Sequence, residues 1–409
     1  MKKFVDWISN KVAPKLNQIA RNPWLSAVQQ AIMTCMPIIF IGSIVTLVDI
    51  LRGFWDFVPD LSQISNFSMG LMSLFLAFLI PYNLMELKKH NKAKKEAGIA
   101  GIALFLMFCG PTFDGDFISL TFGALGAGGM FGAIVAGLFA AFVMNIFANF
   151  SFFKEDSQIP DFITIWFDTL IPMFVILLVG YILVFALQID MMSIIDWVFS
   201  PVLQVGDSLL GFIVLYWVGY SFLYSFGIST WVTWPIESAI VYSALAKNQA
   251  ALAAGATPTL LNAYGVNSYM AIGGSGCTLA LALMMFLFAR SRKNKIMGKA
   301  AIVPSMLNIN EPIIFGAPIA FNPMLMIPMW ISGLVVVFTT YFSLYLGLVP
   351  AITKLWSFWY VPKPIGAFVI GGLPGLILCL VNFALSFMIF YPFFKVYDRQ
   401  CLEEETQEA

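Results

Sequence analysis

Glu311 stands in the run Asn308-Ile309-Asn310-Glu311-Pro312, inside a stretch, 300–320, that is apolar enough to enter a membrane. An ionised carboxylate is costly in hydrocarbon, so a buried carboxylate here must be solvated, paired or protonated. Asn308 and Asn310 add amide donors and acceptors, and Pro304, Pro312 and Pro318 break helical hydrogen bonding and free backbone groups. Such a cluster suits a hydroxyl-rich solute, because a hydroxyl donating to a carboxylate makes a charge-assisted bond. A structural carboxylate capping a half-helix N-terminus has the same local sequence.

Other candidates are weaker. In Phe226-Gly227-Ile228-Ser229-Thr230-Trp231, small and hydroxyl-bearing residues interrupt an apolar span, a pattern that close helix packing also produces. Glu237 is a second carboxylate in an apolar setting, placed either to line a pathway or to pair with Lys247. Asp49, Glu86 and Asp168 read as interfacial or structural, and His90, among lysines, as a solvated loop residue. Trp217, Trp231 and Trp234 can stack on a sugar face, although tryptophan is also the usual interface anchor. Five scattered cysteines and one histidine give no metal-ligand spacing and no disulfide framework, so neither a metal nor a cofactor is expected.

The elements that must position these residues are membrane helices. Hydrophobic residues make up 60% of 409 positions and charged ones 11%, too few to wet the surface of a soluble domain. Apolar runs of about 20 residues recur, the length that crosses a hydrocarbon core of roughly 30 Å. Strand-type alternation is absent, which argues against a β-barrel. The net charge of zero gives no reason to expect nucleic acid. Residues 1–23 are amphipathic and basic without the pattern of a cleavable signal, and read as a cytoplasmic interfacial lead-in.

Spans are expected at 26–50, 68–87, 97–112, 126–150, 161–187, 208–228, 230–246, 268–290, 322–349 and 366–394. Ten spans place all four basic clusters (Lys2 to Arg21, Lys88 to Lys95, Arg290 to Lys299, and Lys395 with Arg399) on one side, which predicts both termini in the cytoplasm. The proline-broken 300–320 is expected to be a re-entrant hairpin with its tip at Asn-Glu-Pro, since irregular backbone at membrane depth survives only when buried in protein or lining a wet cavity. A second partial hairpin is expected near 247–277, around Gly255, Pro258 and Gly273-Gly274-Ser275-Gly276. An amphipathic linker at 188–206 divides an N-terminal half, 1–187, from a C-terminal half, 207–409, that holds both irregular regions. The fold class is thus an all-α polytopic membrane protein with about ten helices and two re-entrant hairpins.

The run VPSMLNINEPIIFGAPIAFNPMLMIP, with IGGSGCTLALAL at 272–283 and the Pro160–Pro172 region, closely resembles the lactose/cellobiose/chitobiose family of membrane permease subunits (enzyme IIC) of the bacterial phosphotransferase system. The resemblance implies a homodimer in a bacterial plasma membrane with the N-terminal helices, 1–187, as dimer interface and scaffold, an elevator-type motion of the C-terminal sugar-binding transport domain, 207–409, and a separate cytoplasmic subunit whose phosphocysteine phosphorylates the arriving sugar. It implies that Glu311 contacts the sugar near the hydroxyl to be phosphorylated, as the one catalytic candidate, with Asn308, Asn310, Ser229, Gly274 and Ser275 as substrate-binding residues. Ser229 stands where the family has histidine, and Val361-Pro362-Lys363-Pro364 departs from the family's Pro-Trp-Thr loop. Serine bonds a hydroxyl but does not relay a proton near neutral pH as histidine does. A permease coupled to phosphorylation is therefore the leading expectation, and an uncoupled transporter or sugar sensor the alternative. An intramembrane enzyme built on Glu311 and Glu237 has neither nucleophile nor metal to support it.

Overall fold

The computed structural model describes residues 22–53, 55, 57–152, 160–228, 230, 233–316 and 319–408. Ser229, Trp231, Pro318 and the basic residues Lys2 to Arg21 lie outside the described residues. Within them the regular structure is helical except for one short hairpin, in which β1 (Thr112–Asp114) and β2 (Phe117–Ser119) pair antiparallel. Internal contacts divide the chain into one unit ending at Val202 and another beginning at Leu203.

The first unit is built from α1 (Pro23–Thr34), α2 (Met36–Arg52), α3 (Met72–Leu87), α4 (Lys94–Phe108), α5 (Met130–Phe147) and α6 (Asp161–Gly180). Asn22 begins α1 by accepting from the Trp24 N–H at 2.9 Å, and α1 and α2 meet at a bend of 40°. α3 packs against α1, α4 and α5, while α6 packs against α4 and α5. The contact faces are lined by small residues: Ala27, Ala31, Ala77, Ala97, Ala100, Ala133 and Ala136 are completely buried. A Cβ on Gly101 would lie 2.2 Å from the Ala77 carbonyl oxygen, so glycine is what lets these backbones approach. In lipid, where apolar surface gains nothing by leaving the solvent, such close contact drives helix association. Among the polar residues of this unit, Lys94 pairs with Glu86 at 2.5 Å beside the Tyr82 ring, and Asp168 accepts from the Phe152 N–H.

α7 (Met191–Asp207) is amphipathic, with Trp197 exposed, and contains the boundary between the units.

The second unit is less regular. α8 (Leu209–Phe212) continues as π-helical turns over Ile213–Leu223, followed by α9 (Trp234–Ala253), α10 (Leu279–Phe288), α11 (Arg292–Met306), α12 (Pro323–Tyr345) and α13 (Lys363–Glu408). α13 is two helices that meet at Gly372, whose φ of 62° no helix contains. A Cβ on Gly375 would lie 2.5 Å from the Ala367 carbonyl oxygen, so the chain folds back on itself at Gly372. After Phe394 the second arm turns polar. Asp398 there accepts from the Arg290 and Ser291 N–H groups, the Ser291 hydroxyl and the Asn294 amide, which fixes the start of α11.

Several element boundaries differ from those expected. By length and composition six described helices can cross a membrane, and the bent α1–α2 pair makes a seventh. Of the other expected spans, 97–112 is the 15-residue α4, 230–246 falls on α9, and 268–290 holds the ten-residue α10 and most of the short helix Asn267–Met270. Residues 247–253 belong to α9 rather than to an irregular region, and 300–306 belong to α11. Within the two expected irregular regions the described non-helical backbone is 254–266, 271–278, 307–310 and 319–322, and the gap between the expected spans 322–349 and 366–394 holds a further non-helical stretch, 350–362. Helix persisted where the apolar pattern contained no left-handed residue. It stopped where Gly273, Gly274, Gly276, Cys277 and Asn308 all take positive φ.

Candidate functional site

α11 ends in a Schellman motif. Asn308 takes the left-handed position with φ 62°, its N–H donates to the Ser305 carbonyl at 3.0 Å, and the Ile309 N–H reaches back to Pro304 at 2.9 Å. Asparagine tolerates this conformation better than most residues, because its short polar side chain finds partners close by. Here those partners come from two other segments. The Asn308 Oδ1 accepts from the Gly273 N–H at 3.1 Å, and its Nδ2 donates to the carbonyls of Trp359 and Val361, each at 2.8 Å. One side chain thus ends a helix and ties it to the 271–278 turn and the 350–362 stretch.

Asn310 repeats the device two residues on. Its Nδ2 donates to the Ser275 carbonyl at 2.8 Å and to the Thr278 hydroxyl at 3.1 Å, while Thr278 donates to the Gly273 carbonyl at 2.9 Å. A Cβ on Gly274 would lie 2.5 Å from the Asn310 Cγ, and its φ of 97° suits glycine alone. The Asn308 and Asn310 amide donors are therefore committed to protein, which corrects the expectation that they are free for a solute. Gly274 likewise is required by packing and backbone conformation. The Ser275 hydroxyl, half-buried, has no protein partner among the described residues.

Between the clasp and Pro312, Glu311 is exposed rather than buried, with an accessible carboxylate where sequence reading expected an enclosed one. Tyr224 is near enough to Glu311 to interact with it electrostatically. Its ring packs edge-on against Phe315 at 6.2 Å, and Phe226 does the same with Phe321 at 6.3 Å. The Phe321 N–H donates to the Ser225 carbonyl at 3.1 Å, and Gly227 lies against the Phe321 ring. The segment leading to Ser229 is thus held against the chain that follows Glu311. Trp217 donates to the Trp330 carbonyl, and Trp330 to the Ser225 hydroxyl, giving these indoles positioning roles.

Glu237 belongs to a separate buried network. Tyr220 donates to its carboxylate, at 3.0 and 2.8 Å from the two oxygens, and the Asn267 amide donates at 3.2 Å. Its partner is not Lys247, which is exposed. Beside it Tyr216 donates to Asn262, and the Leu261 and Asn262 N–H groups donate to Asp207 at 2.6 and 2.7 Å. This network holds the irregular 254–266 segment against α9 and the end of α7. Among the described residues no three metal-ligating side chains gather.

The arrangement is a polar clasp of three non-helical segments that presents one carboxylate, in a unit surrounded by apolar helices. The family model for "Phosphotransferase system, EIIC" matches residues 29–333. The chain belongs to that family. The EIIC is 30% identical to the lichenan permease IIC component of Bacillus subtilis (strain 168), over 99% of this chain and 96% of that protein. It is 28% identical to the oligo-beta-mannoside-specific EIIC component of the same organism, over 98% and 96%. Among solved structures it resembles the transporter ChbC, the IIC component of an N,N'-diacetylchitobiose-specific phosphotransferase system, with a TM-score of 0.86 and 26% identity over 98% of this chain and 100% of that one. The protein is therefore a membrane-embedded sugar permease component of a phosphotransferase system, which works with an EIIB phosphorylation partner.

Proposed function

We propose that this EIIC binds a β-linked disaccharide or related glycoside against the 308–311 tip, with Glu311 accepting from the hydroxyl to be phosphorylated. The observation that carries the reading is the contrast within four residues: the amide donors of Asn308 and Asn310 are taken by protein, whereas Glu311 is accessible. The backbone that carries this carboxylate is held by its bonded neighbours, so less ordering is required when a hydroxyl donates to it. The Ser275 hydroxyl is the second contact of choice. The lichenan, oligo-beta-mannoside and chitobiose systems named among its relatives support a small oligosaccharide as cargo.

The exposed basic residues Arg290, Arg292, Lys293, Lys295 and Lys299 support, by the positive-inside rule, a cytoplasmic location for that end of the unit and for both termini. The EIIC works as a homodimer in the lipid bilayer, and a phosphocysteine on a separate cytoplasmic subunit supplies the phosphoryl group. Ser229 favours a second reading, uptake or sensing without phosphorylation, because serine at that place provides no proton relay. Membrane vesicles loaded with the matched cytoplasmic partners and phosphoenolpyruvate separate the two: the coupled permease accumulates sugar phosphate, and accumulation of free sugar alone would refute coupling.

A further inference from the structure

Glu237 is 1% exposed near the start of α9, and its carboxylate accepts from Tyr220 and Asn267. Among the described residues no cation pairs with it. The titratable groups that interact with it electrostatically are tyrosines: Tyr216 and Tyr220 on the π-helical turns, and Tyr264 from the 254–266 segment. Behind them Tyr242 of α9 stacks on Tyr264 at 4.3 Å, and Asp207, at the end of α7, interacts with Tyr216. An enclosed carboxylate without a counter-charge is costly, and neutral donors offset only part of that cost.

The Asn267 amide is unevenly used. Its Nδ2 is 3.2 Å from a Glu237 oxygen and 3.4 Å from the Tyr220 hydroxyl, whereas its Oδ1 is buried without a donor among the described residues. Turning that amide over loses no bond at Oδ1 and brings an acceptor to the carboxyl in place of a donor. Ionised, Glu237 accepts from Tyr220 and Asn267; protonated, its O–H donates to the Asn267 Oδ1. The cluster thus has an arrangement for each protonation state. Its partners are in direct hydrogen-bond contact, at 2.8 to 3.2 Å, a spacing that admits a proton but no hydrated ion.

Asn267 also joins this carboxyl to the clasp. It opens the short helix Asn267–Met270, and its carbonyl accepts from the Ala271 N–H at 2.9 Å. Two residues later the Gly273 N–H is held by Asn308. A segment from 267 to 273 therefore runs from the partner of Glu237 to the turn that fixes the 308–311 tip. The donors now aimed at Glu237 are those that an ionised carboxylate requires, so the clasp is in place in that state.

Resting on the reading of the 308–311 tip as the sugar site, we propose that Glu237 is a proton-binding site linked to it. A proton from water forms an O–H bond on the carboxylate, the Asn267 amide reverses, and the hold on the 267–273 segment loosens. Sugar affinity is therefore highest where Glu237 is ionised and falls as pH falls. Because linkage is reciprocal, sugar binding expels the proton.

The test is calorimetric titration of the purified protein with cellobiose, lactose and N,N'-diacetylchitobiose in buffers from about pH 8 to about pH 5. The wild type is expected to lose at least tenfold in affinity across that range and to release protons on binding. Glu237→Gln, which does not ionise, should flatten the profile and lose the release, leaving only what Glu311 contributes. Tyr220→Phe strips a donor from the ionised form and should shift the profile along the pH axis. A profile unchanged in Glu237→Gln would overturn the inference while leaving the sugar site intact. So would one unchanged in Tyr220→Phe, should the glutamine variant not fold, or an affinity that follows sodium and not pH. Infrared difference spectra of the sugar-free protein, acid minus neutral, read the proton itself. A protonated-carboxyl band is expected in the wild type and not in Glu237→Gln, and identical spectra would overturn the proton site. Failure of every sugar to bind at any pH would remove the sugar-site reading, and the infrared band would still decide on the proton.

Discussion

The two units of this EIIC solve the same problem, helices packed in lipid, with opposite materials. In the unit ending at Val202 only five polar side chains are buried among the described residues, whereas in the second unit 21 are. The first is held by alanine and glycine faces and carries its positive-φ residues in connecting segments. The second buries asparagines, serines and threonines, and takes left-handed backbone at Asn308, Cys277 and Phe321. Left-handed backbone at a non-glycine residue costs on the order of 1–3 kcal/mol, and it persists only where the surroundings over-determine it. The difference teaches where this molecule spends buried polar groups: on the unit with irregular segments, where they tie those segments and their helices together.

The sharpest way to break the comparison is a matched pair of glycine substitutions. Gly274→Ala forces a Cβ against Asn310 at a φ of 97°, and is expected to destabilise by about 2–4 kcal/mol and to abolish sugar binding. Gly101→Ala places its Cβ against the Ala77 carbonyl and is expected to lower the melting temperature comparably. Protein that still folds should bind sugar with wild-type affinity. Thermal unfolding in detergent, followed by titration, reads both; loss of binding in Gly101→Ala would show that the units do not divide the labour.

Next in size is Asn308→Ala, which removes three hydrogen bonds that join three segments. A loss of about 2–3 kcal/mol is expected, with sugar affinity down at least tenfold, since each buried group left unpaired costs about 1–3 kcal/mol. Asp398→Ala, which strips four donors at the start of α11, should destabilise by about 1–3 kcal/mol. The smallest effect belongs to the first unit. Asn83→Ala removes one 3.4 Å bond to the Ala27 carbonyl and should cost about 0.5–1 kcal/mol without touching affinity.

The membrane class and the broken segment at Asn-Glu-Pro were legible in sequence, because both rest on composition and proline placement. The site's internal wiring was less so. Asn308 and Asn310 stood out by type, but amides beside a carboxylate look alike whether they serve a ligand or a neighbouring loop. Only the positions of Gly273, Ser275, Thr278, Trp359 and Val361 decide that, and those partners lie 32 to 53 residues away. The second arm of the clasp, 350–362, was legible as the gap between two expected spans, but its carbonyl bonds to Asn308 were not. The fold-back at Gly372 lies in a run, Ile370-Gly371-Gly372-Leu373-Pro374, that hydropathy averages into a single span.

The most direct test of the account is sugar titration against Glu311→Gln, with thermal unfolding measured on the same preparation. Glu311 is exposed and carries none of the clasp's bonds, so the variant should unfold at the wild-type temperature while sugar affinity falls at least tenfold. Undiminished affinity would contradict the assignment of Glu311 as the sugar's contact.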